Sequence, residues 1–262
     1  MSYVIRKERC PACELRGVDR SGDNLGVYSD GHSWCFGCGY YVPATLSSRI
    51  GRASEDQTLV LPSFSENDLQ PTSKQPPSYV PQASWPKAPR EWLSKYGITS
   101  KEIYDHRIYW DEKEERLVFP IYYGHILTIS QGRYFGSDPR QPRYLTSGPK
   151  SSLYKIFQPP AASPVLVLVE DYLSAIKVSR TTAAIPLLGS HYSSKLILAL
   201  LGRYQTVRLW LDFDKKNEAV KLASITRQYI PDCGTIITEK DPKDYSTMEI
   251  KDLVSASLRS HS

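Results

Sequence analysis

Two groups of residues in this chain have types and spacings that do chemistry. The first is Cys10-Pro11-Ala12-Cys13 and Cys35-Phe36-Gly37-Cys38, two C-x-x-C pairs with 21 residues between them. Each pair makes a tight knuckle that presents two thiolates, and four thiolates complete one tetrahedral zinc site. The second is Leu209-Trp210-Leu211-Asp212-Phe213-Asp214, an apolar run that ends in two carboxylates one residue apart. If the strand continues through them, Asp212 and Asp214 share one face, where carboxylates are costly without a positive partner. A divalent metal is one such partner. A solvated strand-to-helix turn, with one Asp capping the next helix, is the plainer reading of the pair alone.

The elements around the acids favour the metal. Residues 164–169 predict a buried strand, 171–180 a helix, 182–188 a strand, 193–203 a helix, 206–211 a strand, 215–229 a helix and 234–238 a strand. Strand and helix alternating at this length imply a parallel sheet covered by helices, with ligands gathering at the carboxyl ends of its strands. Glu170 ends the first strand, Asp212 and Asp214 the third, and Asp241 follows the fourth. Four carboxylates on one edge repel one another without cations, and oxygen ligands of this kind select Mg²⁺ or Mn²⁺. The competing account is an edge of helix caps, with Asp171 doing the capping.

Towards the amino terminus, 25–36 reads as two strands joined by an Asp-Gly turn. His32, Asp30 and Trp34, with Tyr28, make a polar and aromatic surface suited to unpaired bases, or simply the packing of a small ribbon. Residues 47–89 are rich in Ser, Pro, Gln and Thr, which predicts a flexible tether with a span of roughly 35 Å. Leu59-Val60-Leu61 and Trp85 are the apolar spots in it that have the means to dock. Next come a helix in 91–99, a second helix capped by Thr99 or Ser100, strands at 116–121 and 126–130, and a basic stretch. Arg116, Arg133, Arg140, Arg143, Lys150 and Lys155 stand there against the single acid Asp138. Tyr134, Phe135, Tyr144 and Tyr154 are interleaved with them, a mixture that suits phosphates and a nucleic-acid backbone.

Composition bounds the class. The chain has 262 residues, 40% hydrophobic, with a net charge of +5. That is enough apolar content for a core, and the local basic surplus favours a polyanionic partner over a solvated basic face. No apolar run reaches the roughly 20 residues needed to span a bilayer, and the start lacks a secretory apolar core, so a cytoplasmic location and no membrane partner are expected. Five cysteines in such a setting argue for metal before disulfides.

Val167-Leu168-Val169-Glu170, Leu211-Asp212-Phe213-Asp214 and Lys240-Asp241-Pro242 resemble the three signatures of the Toprim fold. With the Cys₄ ribbon, Arg116-Leu117-Val118-Phe119-Pro120-Ile121 and Pro142-Arg143-Tyr144-Leu145, the chain resembles the phage-type DNA primases, related to the primase half of bacteriophage primase-helicases and to bacterial replicative primases. The resemblance implies an α/β protein: a zinc ribbon over 1–46, a linker over 47–89, a basic α+β subdomain over 90–163, a Rossmann-like Toprim subdomain over 164–246 and a helical tail over 247–262. It implies Glu170, Asp212 and Asp214 as catalytic acids that hold two Mg²⁺ or Mn²⁺ ions, with Asp241 in support, and Cys10, Cys13, Cys35 and Cys38 on one structural zinc. Arg116, Arg133, Arg143, Lys150 and Lys155 match positions that hold template and nucleotide phosphates, and His32 and Asp30 match ribbon positions that read template, with Trp34 beside them as a further expected template contact. Single-stranded DNA, ribonucleoside triphosphates, and a separate helicase and DNA polymerase are the implied partners, in the host cytoplasm if a phage encodes the chain. The rivals are a Toprim nuclease and a non-catalytic DNA-binding adaptor. The family's glycine after the first Glu is Asp171 here, and its acid four residues after that Glu is Ser174.

Overall fold

The computed structural model describes residues 3–14, 18, 21–29, 32–38, 40–42, 58–61, 81–123, 126–149 and 153–259. Asp30 and Lys150, two of the expected binding residues, lie outside the described residues. The ribbon is an antiparallel sheet of β1 (Val4–Glu8), β2 (Leu25–Tyr28), β3 (Ser33–Cys35) and β4 (Tyr41–Val42), with the short helix α1 (Pro11–Glu14) after β1. The expected hairpin is β2–β3, where Leu25 pairs with Cys35 and Val27 with Ser33. It is closed by the Tyr28 N–H donating to the His32 carbonyl over 2.8 Å.

Part of the expected tether is a strand. Thr58–Val60 forms β5, which pairs antiparallel with β10 (Leu153–Lys155), Leu59 lying opposite Tyr154. The reason is burial: Leu59 and Leu61 are each 1% exposed, and that apolar gain offsets the cost of ordering a short Ser/Pro-flanked segment. Trp85 is buried as well, just before helix α2 (Lys87–Lys95). Helix α3 (Ser100–Asp105) follows, started by a capping box in which Thr99 Oγ1 accepts from the Glu102 N–H and the Glu102 carboxylate accepts from the Thr99 N–H. Strands β6 (Tyr109–Asp111), β7 (Arg116–Tyr123), β8 (Ile126–Tyr134) and β9 (Tyr144–Ser147) then form an antiparallel meander.

The carboxyl-terminal half is the expected parallel sheet. Its strands are β11 (Val165–Val169), β12 (Ala183–Pro186), β13 (Thr206–Trp210) and β14 (Asp232–Thr235), in the order β12-β11-β13-β14. Helices α4 (Tyr172–Ser179), α5 (Ser194–Leu200) and α6 (Lys216–Arg227) connect them, and α7 (Thr247–Arg259) ends the chain. The two-residue period divides the core. Val165, Val167, Val169 and Trp210 face α4 and α7, through Leu173, Ile176, Ile250 and Val254. Leu166, Leu168, Leu209 and Leu211 face α5 and α6, through Leu196, Leu200, Ala219 and Ala223. Each fully buried aliphatic side chain contributes about 1.5–3 kcal/mol, so the sheet is the rigid part of the molecule. Arg208, fully buried, holds α7 in place by donating to the Ser257 carbonyl and pairing with Asp232 at 2.8 Å. Cys233 is buried in this core as a packing residue.

Phe157, just past β10, exchanges backbone hydrogen bonds of 2.8 and 2.9 Å with Ala184 on β12, and the buried Tyr172 hydroxyl of α4 donates to the Pro120 carbonyl of the meander. Among the described residues, no helix is long and apolar enough to cross a membrane.

Candidate active site and zinc centre

Strand order reverses direction between β11 and β13: the connection from β11 runs to β12 on one side, and that from β13 to β14 on the other. This is the crevice in which open α/β sheets hold ligands. Glu170 follows β11 directly, and its carbonyl accepts from the Gly189 N–H at 3.1 Å, fixing the loop. Asp212 lies just beyond β13.

Asp212 and Asp214 do not share a strand face. The chain leaves the sheet at Leu211, and Phe213–Lys215 is a 3-10 turn in which the Lys215 N–H donates to the Asp212 carbonyl at 2.8 Å. Asp212 turns inward with 22% of its side chain exposed, whereas Asp214 is 71% exposed and pairs with Lys215 at 3.2 Å. Asp241 starts a further 3-10 turn, Pro242–Asp244, on the same edge. Asp171 caps α4, as the plainer account had it: its carboxylate accepts from the Ser174 N–H at 3.0 Å and the Ser174 hydroxyl at 2.9 Å.

At the centre of these acids is a residue that sequence reasoning missed. Lys243 Nζ lies 2.8 Å from Asp171 Oδ2, 2.8 Å from Asp241 Oδ2 and 3.5 Å from Asp212 Oδ2. The signal was present in Lys240-Asp241-Pro242-Lys243-Asp244: a proline-started turn sets a lysine beside acids that need a cation. Burial pushes Asp212 up to about 7, with Lys243 opposing the rise and Asp171, Asp241 and Glu170 adding to it. Glu170 is likewise raised, by burial first and then by Asp171 and Asp214. For Lys243 burial acts the other way, but the surrounding carboxylates outweigh it and hold the ammonium charged well above its ordinary range.

Two oxygens on this edge are buried with no hydrogen-bond partner, Glu170 Oε2 and Asp212 Oδ1. An orphaned buried carboxylate oxygen is costly, and a hard divalent cation is the partner that carboxylate oxygens fit. Glu170 and Asp212 therefore suit Mg²⁺ or Mn²⁺.

The meander supplies a wall nearby. Tyr144 on β9 is raised by burial, with Arg133, Asp171 and Lys243 all close enough to act on it. The Arg133 guanidinium donates to the Tyr144 hydroxyl at 2.7 Å and lies 4.3 Å from the Trp92 ring centroid and 5.2 Å from that of Phe135. Other expected phosphate ligands are placed differently. Arg116 turns inward, 4% exposed, and donates to the Gly132 and Pro142 carbonyls and to Gln141 Oε1. It is a strut between β7 and the loop before β9, because its buried guanidinium turns to three internal acceptors, and this replaces its reading as a phosphate ligand. Lys155 donates to the Tyr172 hydroxyl at 3.3 Å and lies over the Phe157 and Tyr172 rings. Arg143 is exposed.

In the ribbon, the ligand sulfurs of Cys10, Cys13, Cys35 and Cys38 all lie within 4.8 Å of one another. Cys10 and Cys38 are 3.6 Å apart, as are Cys13 and Cys35. Four thiolates tetrahedral about zinc stand about 3.8 Å apart, so the set fits that ion. Burial pushes the Cys13 thiol up to about 11, with Cys38 and Cys35 adding to the rise and Cys10 opposing it. His32 stacks on Tyr28 at 4.0 Å, outside the cysteine cluster, and Trp34 is 40% exposed. The ribbon touches the α/β body through Tyr40, buried, whose hydroxyl donates to the Leu201 carbonyl at the end of α5.

Ribbon, meander and acid-edged parallel sheet together define a class: a Cys₄ module joined to a mixed α/β body with its ligand crevice between β11 and β13. The chain is similar to the zinc-binding and RNA polymerase domains of the Aquifex aeolicus primase, with a TM-score of 0.52 over 89% of this chain and 75% of that one, at 13% identity. It thus has a primase-type fold. Weaker likenesses are to a DnaG primase catalytic domain bound to single-stranded DNA (TM-score 0.43, 21% identity, 64% of this chain and 61% of that one) and to the primase fragment of the bacteriophage T7 primase-helicase protein (0.44, 13%, 98% and 100%). No family model matches the sequence, and no curated protein matches it.

Proposed function

We propose that this chain is a DNA primase, which copies single-stranded DNA into short RNA primers by metal-dependent nucleotidyl transfer. The observation that carries the reading is the pair of orphaned buried oxygens, Glu170 Oε2 and Asp212 Oδ1, at the switch point of a primase-type fold. Glu170 and Asp212, with Asp214 and Asp241 in support, are the residues for Mg²⁺ or Mn²⁺. Such a cation, when bound, lowers the pKa of a nucleotide 3′-hydroxyl and neutralises the departing pyrophosphate. The protein's own part is to position. The closed β11–α4 and β13–α6 loops fix the two acids, and Arg143 and Lys150, with Arg133 behind Tyr144, receive triphosphate and template phosphates. His32, Asp30 and Trp34 on the zinc-held ribbon stack on and read template bases. A separate helicase and DNA polymerase would open the duplex and extend the primer, in a host cytoplasm if the chain is phage-encoded.

One observation favours a second reading. Asp171 and Ser174 stand where the primase pattern has a glycine and an acid, which is what a non-catalytic DNA-binding adaptor with relic acids would show. Both readings, and a nuclease, separate in one assay of purified protein with random single-stranded DNA, labelled ribonucleotides and Mg²⁺. Labelled oligoribonucleotides made by the wild type and lost in Asp212→Asn are expected. Their absence, or equal yield from the variant, refutes the primase reading, and cleavage of the DNA without nucleotides points to the nuclease.

A further inference from the structure

The acids on this edge are not arranged around an open space. Three of them surround an ammonium, which has three N–H donors. Lys243 is 12% exposed and reaches one oxygen each of Asp171, Asp212 and Asp241. Its place is fixed from both sides. The buried Pro242 sets the turn that carries it, with the Asp244 N–H donating to the Asp241 carbonyl at 2.9 Å. Asp171, its partner on the other side, is locked by two hydrogen bonds from Ser174. Moving the ammonium out would leave Asp171 and Asp241 half-buried and unpaired, the arrangement that costs most.

The oxygens left over matter as much. Lys243 takes Asp212 Oδ2, so the unpartnered atoms are Asp212 Oδ1 and Glu170 Oε2. Those are the two buried carboxylate oxygens of the edge left without a hydrogen-bond partner, one from each side of the β11–β13 crevice. Asp214, exposed and paired with Lys215, adds no buried donor. Two-metal sites instead bring several carboxylates onto ions about 3.5–4 Å apart, with shared ligands between them.

We propose that Lys243 is the resident cation of this edge: its ammonium fills the place among Asp171, Asp212 and Asp241 that a second divalent ion would take, and the edge accepts a single divalent ion, on Glu170 and Asp212. The inference rests on the reading of this edge as a metal-dependent nucleotidyl-transfer site. It replaces the two ions implied by family resemblance with one ion and one tethered charge. In that arrangement Lys243 is a positioning residue that holds Asp212 with one oxygen turned towards the ion.

The test counts ions. Mn²⁺ bound to the zinc-loaded full chain is titrated by electron paramagnetic resonance, and the ions lost in Asp212→Asn are taken as those of the edge. One ion is expected in the wild type and in Lys243→Arg, and two in Lys243→Gln. Two ions in the wild type, or one in Lys243→Gln, overturn the proposal. Should Lys243→Gln not fold, ¹⁵N-lysine NMR of the wild type decides: the protected Lys243 ammonium signal, identified by its absence in Lys243→Arg, persists at saturating Mg²⁺. Its disappearance on adding Mg²⁺ overturns the proposal. Contrary counts in a protein that still makes primers sink this inference alone, whereas a wild type that binds no Mn²⁺ at the edge and makes no primers sinks the functional reading with it.

Discussion

Asp212→Asn should make the protein more stable while it abolishes primer synthesis. The side chain is 22% exposed, and burial with three neighbouring carboxylates moves its pKa from 3.8 to about 7. At about 1.4 kcal/mol per pH unit, keeping it ionised in the folded state costs at most about 4 kcal/mol above neutrality. That figure already includes the opposing pull of Lys243 at 3.5 Å, and burying the Asn amide without a full set of partners takes back about 1–2 kcal/mol of it. A net gain of about 1–3 kcal/mol is expected near pH 8, without added divalent ion and with zinc in place. The sign follows from the direction of the displacement. Below about pH 3 both folded and unfolded chains carry the proton and the charge costs nothing; as pH rises the unfolded chain ionises first, so the folded wild type loses ground until about pH 7 and pays in full above it. Urea unfolding of the two proteins should therefore show a gap that is small near pH 5 and large near pH 8. Mg²⁺ should close or reverse the gap, since an ion bound at 100 times its Kd adds about 2.7 kcal/mol to the wild type and little to the variant. An Asn variant no more stable than the wild type near pH 8, or a gap unchanged near pH 5, refutes the account of the edge as a strained, charge-crowded site.

Removal of zinc by a chelator, or Cys35→Ser, should unfold the ribbon and leave the parallel sheet folded, because the small module has little core of its own beyond its cysteines, Leu25, Val27 and Tyr40. Limited proteolysis cutting within the first 42 residues while the body from residue 81 on stays intact is the expected result, and equal protection with and without zinc the contrary one. Leu59→Ala should cost about 2–4 kcal/mol in thermal or urea unfolding, since the side chain is 1% exposed and packs into the core under β10. A cost near zero would mean that β5 is dispensable to the body.

The parallel half was legible because its signals are local. Val165–Val169 is an unbroken apolar run with an acid at its end, and Asp171 stands where a cap belongs. The four cysteines needed only their spacing. What could not be read was decided by distant contacts. Thr58–Val60 looked like linker because its neighbours are Ser, Pro and Gln, and its partner β10 lies nearly a hundred residues further on. Arg116 looked like part of a cationic surface, yet the Gly132 and Pro142 carbonyls draw it inside. The shared face of Asp212 and Asp214 failed for a local reason, since period-two reasoning holds only while the strand lasts and this one ends before the first acid.

Lys243 changes how the departures from the primase pattern are weighed. Taken alone, Asp171 in place of a glycine adds a negative charge beside Glu170, and Ser174 in place of an acid removes one nearby, which reads as a site drifting from use. In three dimensions the same residues form one device: Ser174 holds Asp171, Asp171 holds Lys243, and Lys243 reaches Asp212 and Asp241. A decaying site has no reason to keep a buried ammonium matched donor for acceptor to three carboxylates while two further oxygens, on Glu170 and Asp212, remain unsatisfied. A working one does, because the tethered charge offsets repulsion among the acids before any ion arrives and leaves the free pair as the place for it.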